Sequence, residues 1–139
     1  MARKARRIQD WSPSSKRAML QAVLDEFLQA YLETAVWSST DEGGRTLDRR
    51  FDEGDFSEEA LQKAKEDAID FLKSNEKDLE ETGASWGYHG HDFWLSRNGH
   101  GAGFFDRDYG AIADRLQKAA RVYGELHVYA GDDGELHFM

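Results

Sequence analysis

The sequence predicts an α+β fold. About three helices pack on a four-stranded, mainly antiparallel sheet made of two hairpins, in the order α-α-β-β-α-β-β. Three observations lead there. Apolar residues recur at helical spacing over 14–38, 57–83 and 109–123. Two dipeptides of the tight-turn kind, Asn98-Gly99 and Asp133-Gly134, lie between short runs rich in apolar and aromatic residues. A chain of 139 residues with 40% hydrophobic side chains has the size and make-up of one domain with its own core.

Residues 1–11, "MARKARRIQDW", are predicted to be a flexible basic arm outside a single domain of residues 12–139. Ser12 followed by Pro13 suits an N-cap and first helical position. Leu20, Val23, Leu24, Phe27, Leu28, Tyr31, Ala35 and Val36 then form a wide apolar stripe, the mark of a central helix covered on more than one side. "TDEGGRTLDRRFDEGD", residues 40–55, breaks the periodicity and is predicted to be an exposed acidic loop. Ser57 caps the second helix, Glu58 and Glu59 occupy its first turn, and Phe56 and Leu61 are placed for a hydrophobic staple. Leu61, Ala64, Ala68, Phe71, Leu72 and Leu79 make its buried stripe, and it ends near Gly83.

The block "HDFWLSRNGHGAGFFD" is predicted to be the first hairpin, turning at Asn98-Gly99. That register pairs Arg97 with His100, Leu95 with Ala102, Phe93 with Phe104 and His91 with Asp106. Trp94 would lie opposite Gly103 and cover its bare backbone. A third helix follows from about Tyr109 to Tyr123, capped by Asp108 and stopped by Gly124. The second hairpin turns at Asp133-Gly134. It puts Leu126, Val128, Ala130, His137 and Met139 on one face and His127, Tyr129, Leu136 and Phe138 on the other.

The absence of cysteine excludes disulfides, zinc–thiolate sites and thiol catalysis, and a reducing cytosol is the simplest compartment. No apolar run approaches the roughly 20 residues of a membrane span. Charge is uneven. The whole chain carries −9, while residues 1–17 carry +5 from six basic side chains and Asp10, which leaves −14 on the rest. An acidic body repels nucleic acid over about 8–10 Å and attracts basic surfaces. The weak exception is the arm, where Arg3, Lys4, Arg6 and Arg7 offer a few phosphate contacts.

Three blocks, "YLETAVWSSTDE" (31–42), "HDFWLSRNGHGAGFFDR" (91–107) and "YGELHVYAGDDGEL" (123–136), together resemble a family of small uncharacterised proteins encoded by tailed bacteriophages and related mobile elements. The resemblance covers roughly residues 27–139. It implies a phage or prophage origin and work in the host cytoplasm during infection. It carries no catalytic role to any residue.

Motifs with chemistry are sparse. "GASWG" (83–87) matches the G-x-S-x-G pattern, but it follows a helix instead of the strand that a nucleophile elbow needs. Glycines 99, 101 and 103 do not run straight into a helix, as a phosphate cradle requires. His89, His91, Asp92, His100 and Asp106 are the candidate metal ligands, with His89, His91 and Asp106 the leading set. His91 beside Asp106 is the candidate acid–base pair, with His100 a further catalytic candidate. Arg97 and His100 at the hairpin tip are candidates for holding an anion. The leading expectation is a non-enzymatic, cofactor-free phage accessory protein that binds a host or phage macromolecule with a basic surface. Asp41, Glu42, Asp52, Glu53 and Asp55 would supply its acidic face, and Trp37, Trp86 and Tyr88 its aromatic anchors. Inhibition of a host defence or nucleic-acid-processing complex is the concrete form. The alternative is a small enzyme or anion-binding protein using the histidine, aspartate and arginine cluster of residues 91–107.

Overall fold

A computed structural model describes residues 13–99 and 102–139. The expectations that rest on Arg3, Lys4, Arg6, Arg7, the Ser12 cap and His100 lie outside the described residues. Among the described residues, helices α1 (Pro13–Trp37), α2 (Glu58–Ser74), α3 (Glu76–Thr82), α4 (Trp86–Arg97) and α5 (Ala111–Arg121) dominate. One antiparallel sheet of two strands, β1 (Val128–Ala130) and β2 (Leu136–Phe138), completes them. The expected α+β architecture with a four-stranded sheet is therefore overturned. The fold is mostly helical, because one of the two expected hairpins is a helix.

α1 behaves as its stripe predicts. Phe27, Tyr31 and Ala35 are wholly buried, and Val23, Leu28, Leu32 and Val36 are nearly so. The acidic stretch after α1 is more ordered than a plain loop. Thr40 and Thr46 pair in a bridge. Asp41 accepts from Gly43 N at 2.8 Å and Arg45 N at 3.0 Å, and Leu47 drops into the core.

Ser57 Oγ accepts from Ala60 N at 3.1 Å and starts α2 as expected. The helix does not run unbroken to Gly83. Asn75 ends it, and its Nδ2 donates to Phe71 O at 2.9 Å. A side chain that bonds the preceding turn competes with the helical ladder. α3 resumes after it and stops at Gly83, which takes φ 72°.

α4 replaces the expected first hairpin. Trp86, His89, Gly90 and every residue from Asp92 to Arg97 are buried, so this helix is covered on most of its sides. Ser85 Oγ accepts from Tyr88 N and caps it. Glycine inside a helix costs about 1 kcal/mol each, which is why local preference disfavoured this element. Packing decides otherwise. An added Cβ at Gly90 would collide with the carbonyl of Phe27, so α1 and α4 cross there backbone to backbone. Asn98-Gly99 then serves as a helix terminus. Asn98 Nδ2 donates to Trp94 O at 2.9 Å, and Gly99 takes φ 67°. The expected pairs of Leu95 with Ala102, Phe93 with Phe104 and His91 with Asp106 do not form as strand pairs. Gly103 (φ 96°) instead lies on α4, where a Cβ would sit 2.9 Å from Asp92 O and 3.1 Å from Ser96 N. Trp94 does not cover it. That indole is buried against Tyr31 and donates to Ser38 Oγ at 2.9 Å.

α5 is shorter than expected and starts from Gly110, without the Asp108 cap. Its buried Ala113, Leu116 and Ala120 belong to the expected stripe. The second hairpin is present with a wider loop, because Gly131 N donates to Glu135 O at 2.8 Å. Val128 pairs with Phe138 and Ala130 with Leu136, so these four share a face. The expected faces are corrected by one residue on β2, since strand side chains alternate. Leu136 O accepts from Ser57 N at 2.9 Å and so ties the hairpin to the start of α2. Rings make the centre: Phe71 stacks on Phe93 at 4.1 Å, with Phe27, Tyr31, Phe104 and Tyr123 around the pair.

Candidate functional site

The helical form of residues 86–97 places Tyr88 and His91 on one face, three residues apart, and turns the neighbouring Asp92 inward. Asp92 is completely buried. A buried carboxylate needs partners, and two reach it. Arg107 clasps it with both arms, Nε to Oδ2 at 2.9 Å and Nη2 to Oδ1 at 2.8 Å. His91 Nδ1 lies 3.0 Å from Oδ1. An ionised carboxylate only accepts, so Nδ1 carries the proton in that bond. These hydrogen bonds hold the Arg107 guanidinium charged well above its ordinary range.

Rings extend the clasp outward. The Arg107 guanidinium lies 4.2 Å from the centre of the Tyr88 ring. His91 stacks on Trp37 at 5.9 Å and meets the Tyr88 ring edge-on at 6.3 Å. Trp37 is 45% exposed and Tyr88 is 50% exposed. Trp37, His91, Tyr88 and Arg107 thus form a continuous surface row, seated on one buried carboxylate. Burial and the Asp92 charge push the nearby Tyr109 phenol up.

The other sequence candidates go elsewhere. Arg97 is in the core. Nε donates to Gly124 O at 2.9 Å, Nη2 to Tyr123 O at 3.0 Å, and Nη1 to both Tyr31 Oη at 3.0 Å and Asp67 Oδ2 at 2.8 Å. It has no room for an anion and instead ties α1, α2 and the end of α5 together. Asp106 is exposed in the short turn Phe104–Asp106, and His91 takes Asp92 as its carboxylate instead. Trp86 is buried and offers no surface anchor. His100, the further catalytic and anion-binding candidate, lies outside the described residues.

His89 is wholly buried between Trp86 and Phe104. Its Nε2 lies 3.1 Å from Leu79 O and 3.0 Å from Thr82 Oγ1, and its Nδ1 has no partner. Leu79 O is an acceptor, so Nε2 is the protonated nitrogen. Burial drives the imidazole pKa down to about 4, against the smaller opposing effects of the Leu79 bond and the Asp92 charge. The ring is a neutral strut between α3 and α4. Among the described residues no cluster of three or more histidine, aspartate or glutamate side chains could hold a metal ion. The trio His89, His91 and Asp106 is therefore split between core, surface row and turn.

The acidic candidates divide by role. Asp41 shapes its own loop, and those backbone bonds hold its carboxyl below the usual carboxylate range. Asp52 accepts from Gly54 N and Asp55 accepts from Asp52 N, both at 2.8 Å, which closes a reciprocal cap. Glu53 accepts from Gln29 at 2.8 Å. Glu42 is exposed.

Sequence reasoning missed Arg107 and its pairing with Asp92. Fifteen residues separate them, and no periodic signal links a helix to the turn that follows it. The usable signal was the Tyr88–His91 interval, legible only once the segment is treated as helical. Comparisons with protein-family models, curated proteins and solved structures give no match. Among the described residues no helix is long and apolar enough to cross a membrane.

Proposed function

We propose that this chain is a non-enzymatic binding protein that engages a basic macromolecular surface, in keeping with a phage accessory role in the host cytoplasm. Inhibition of a host defence or nucleic-acid-processing complex is its concrete form. The observation that carries the reading is the row Trp37–His91–Tyr88–Arg107 held on buried Asp92, in which Trp37 and Tyr88 are exposed and His91 and Arg107 half-buried. Tryptophan, tyrosine and arginine are the residues that dominate interface energetics. Fixing them before contact lowers the ordering cost of association. The −14 carried by residues 18–139 supports the choice of a basic partner through steering and orientation.

Affinity capture from bacterial lysate tests the reading, with the native chain compared with a Trp37→Ala/Tyr88→Ala variant at low and high salt. The expected result is a discrete partner retained at low salt, released by salt and lost with the double variant. Recovery of the same background proteins by both forms at both salt levels would count against it.

A further inference from the structure

We infer that the row on α1 and α4 receives an arginine side chain from a basic protein segment, seated on Trp37 with Glu33 as its carboxylate partner. This rests on the binding role proposed above and specifies the chemistry of the partner. Glu26, Ala30, Glu33 and Trp37 follow one another at helical intervals along a single stripe of α1. That stripe borders α4 over small residues. A Cβ at Gly87 would lie 3.6 Å from Glu26 Cγ and 3.8 Å from Ala30 Cβ, ordinary contact distances. Glu26 Oε2 accepts from Gly87 N at 2.8 Å, and Gln29 Nε2 donates to Glu33 Oε1 at 2.7 Å. Glu33 is exposed on that stripe one turn before Trp37, and Glu26 lies two turns further toward the start of α1.

An exposed aromatic face with a carboxylate one turn away suits a guanidinium. The planar cation stacks on the ring while its edge meets the carboxylate in a two-pronged bond, a geometry the point charge of lysine does not reproduce. The same acids disfavour a nucleic-acid strand, whose phosphates would approach Glu26 and Glu33. Arg107 does not repel the incoming cation as a free arginine would, because Asp92 neutralises it at 2.8–2.9 Å.

Fluorescence anisotropy decides the matter with three labelled probes: an arginine homopeptide, a lysine homopeptide of equal length and a thymidine oligonucleotide. The arginine peptide is expected to bind tighter than the lysine peptide. Trp37→Ala and Glu33→Gln should each weaken the arginine peptide about five-fold, and Trp37→Phe should retain most of the affinity. Glu58→Gln/Glu59→Gln on α2 should weaken both peptides alike. Unchanged thermal melting of each variant shows that folding is not the cause. Equal binding of both peptides, unmoved by Trp37→Ala, overturns the inference and leaves the broader acidic binding role standing. No binding of either peptide overturns both. Oligonucleotide binding that depends on Trp37 makes the row a base-stacking surface and overturns the arginine assignment.

Discussion

Arg97 and His89 are buried for opposite electrostatic reasons, and each makes a prediction. The Arg97 guanidinium is met in the core by Asp67, Tyr31 and two backbone carbonyls. Arg97→Ala leaves the buried Asp67 carboxylate with only the half-exposed Lys63 at 3.2 Å, so destabilisation of about 3 kcal/mol is expected, read as a lower urea midpoint. Arg97→Met should cost as much, since it leaves the same carboxylate, and Arg97→Met/Asp67→Leu should recover a large part. His89 instead stays neutral, its pKa lowered from 6.5 to about 4 by burial. The unfolded chain therefore binds more protons than the folded one between those values. Stability contributed by neutral His89 is complete above about pH 6.5 and falls as the pH drops toward 4, by about 3 kcal/mol. Urea midpoints measured across that range should fall with pH in the native chain, and His89→Phe should flatten the trend. The sequence alone offers Arg97 as an anion holder and His89 as a metal ligand. A polar residue name does not reveal whether a core will supply its partners.

At the scale of elements, α4 carries the main lesson. Gly87 and Gly90 occupy one helix and should respond oppositely to alanine. Gly90→Ala drives a Cβ into the Phe27 carbonyl and should cost about 2–3 kcal/mol despite the better helix propensity. Gly87→Ala meets only ordinary contacts and should stabilise by about 0.5–1 kcal/mol. Thermal melts of the two single variants check both signs. The same glycines explain what was legible. The stripes of α1, α2 and α5 are regular, and these helices lie where their spacing places them, apart from the break at Asn75 and the shorter ends of α5. Residues 91–106 contain glycines and an Asn-Gly step that favour a hairpin locally. What overrode them is a contact with Phe27, more than 60 residues earlier in the chain, and no local pattern encodes it. Of the candidate site, Trp37, Tyr88 and His91 were named from the sequence. Their union through Asp92 and Arg107 depended on that helix.

For the whole molecule, charge sets the expected behaviour in solution. With −14 on residues 18–139, association with any cationic partner should slow steeply as salt rises. Stopped-flow association of the arginine homopeptide should lose about ten-fold between low and moderate ionic strength, while dissociation changes less. The architecture also has a consequence for synthesis. Tyr31 on α1 and Arg97 on α4 are 66 positions apart, yet they share one buried bond. At a translation rate of roughly 5–20 residues per second, the ribosome needs several seconds to deliver the later helix. Until then the nascent chain displays Phe27 and Tyr31 without their α4 partner Phe93, so a chaperone that shields greasy helices would matter most in that interval.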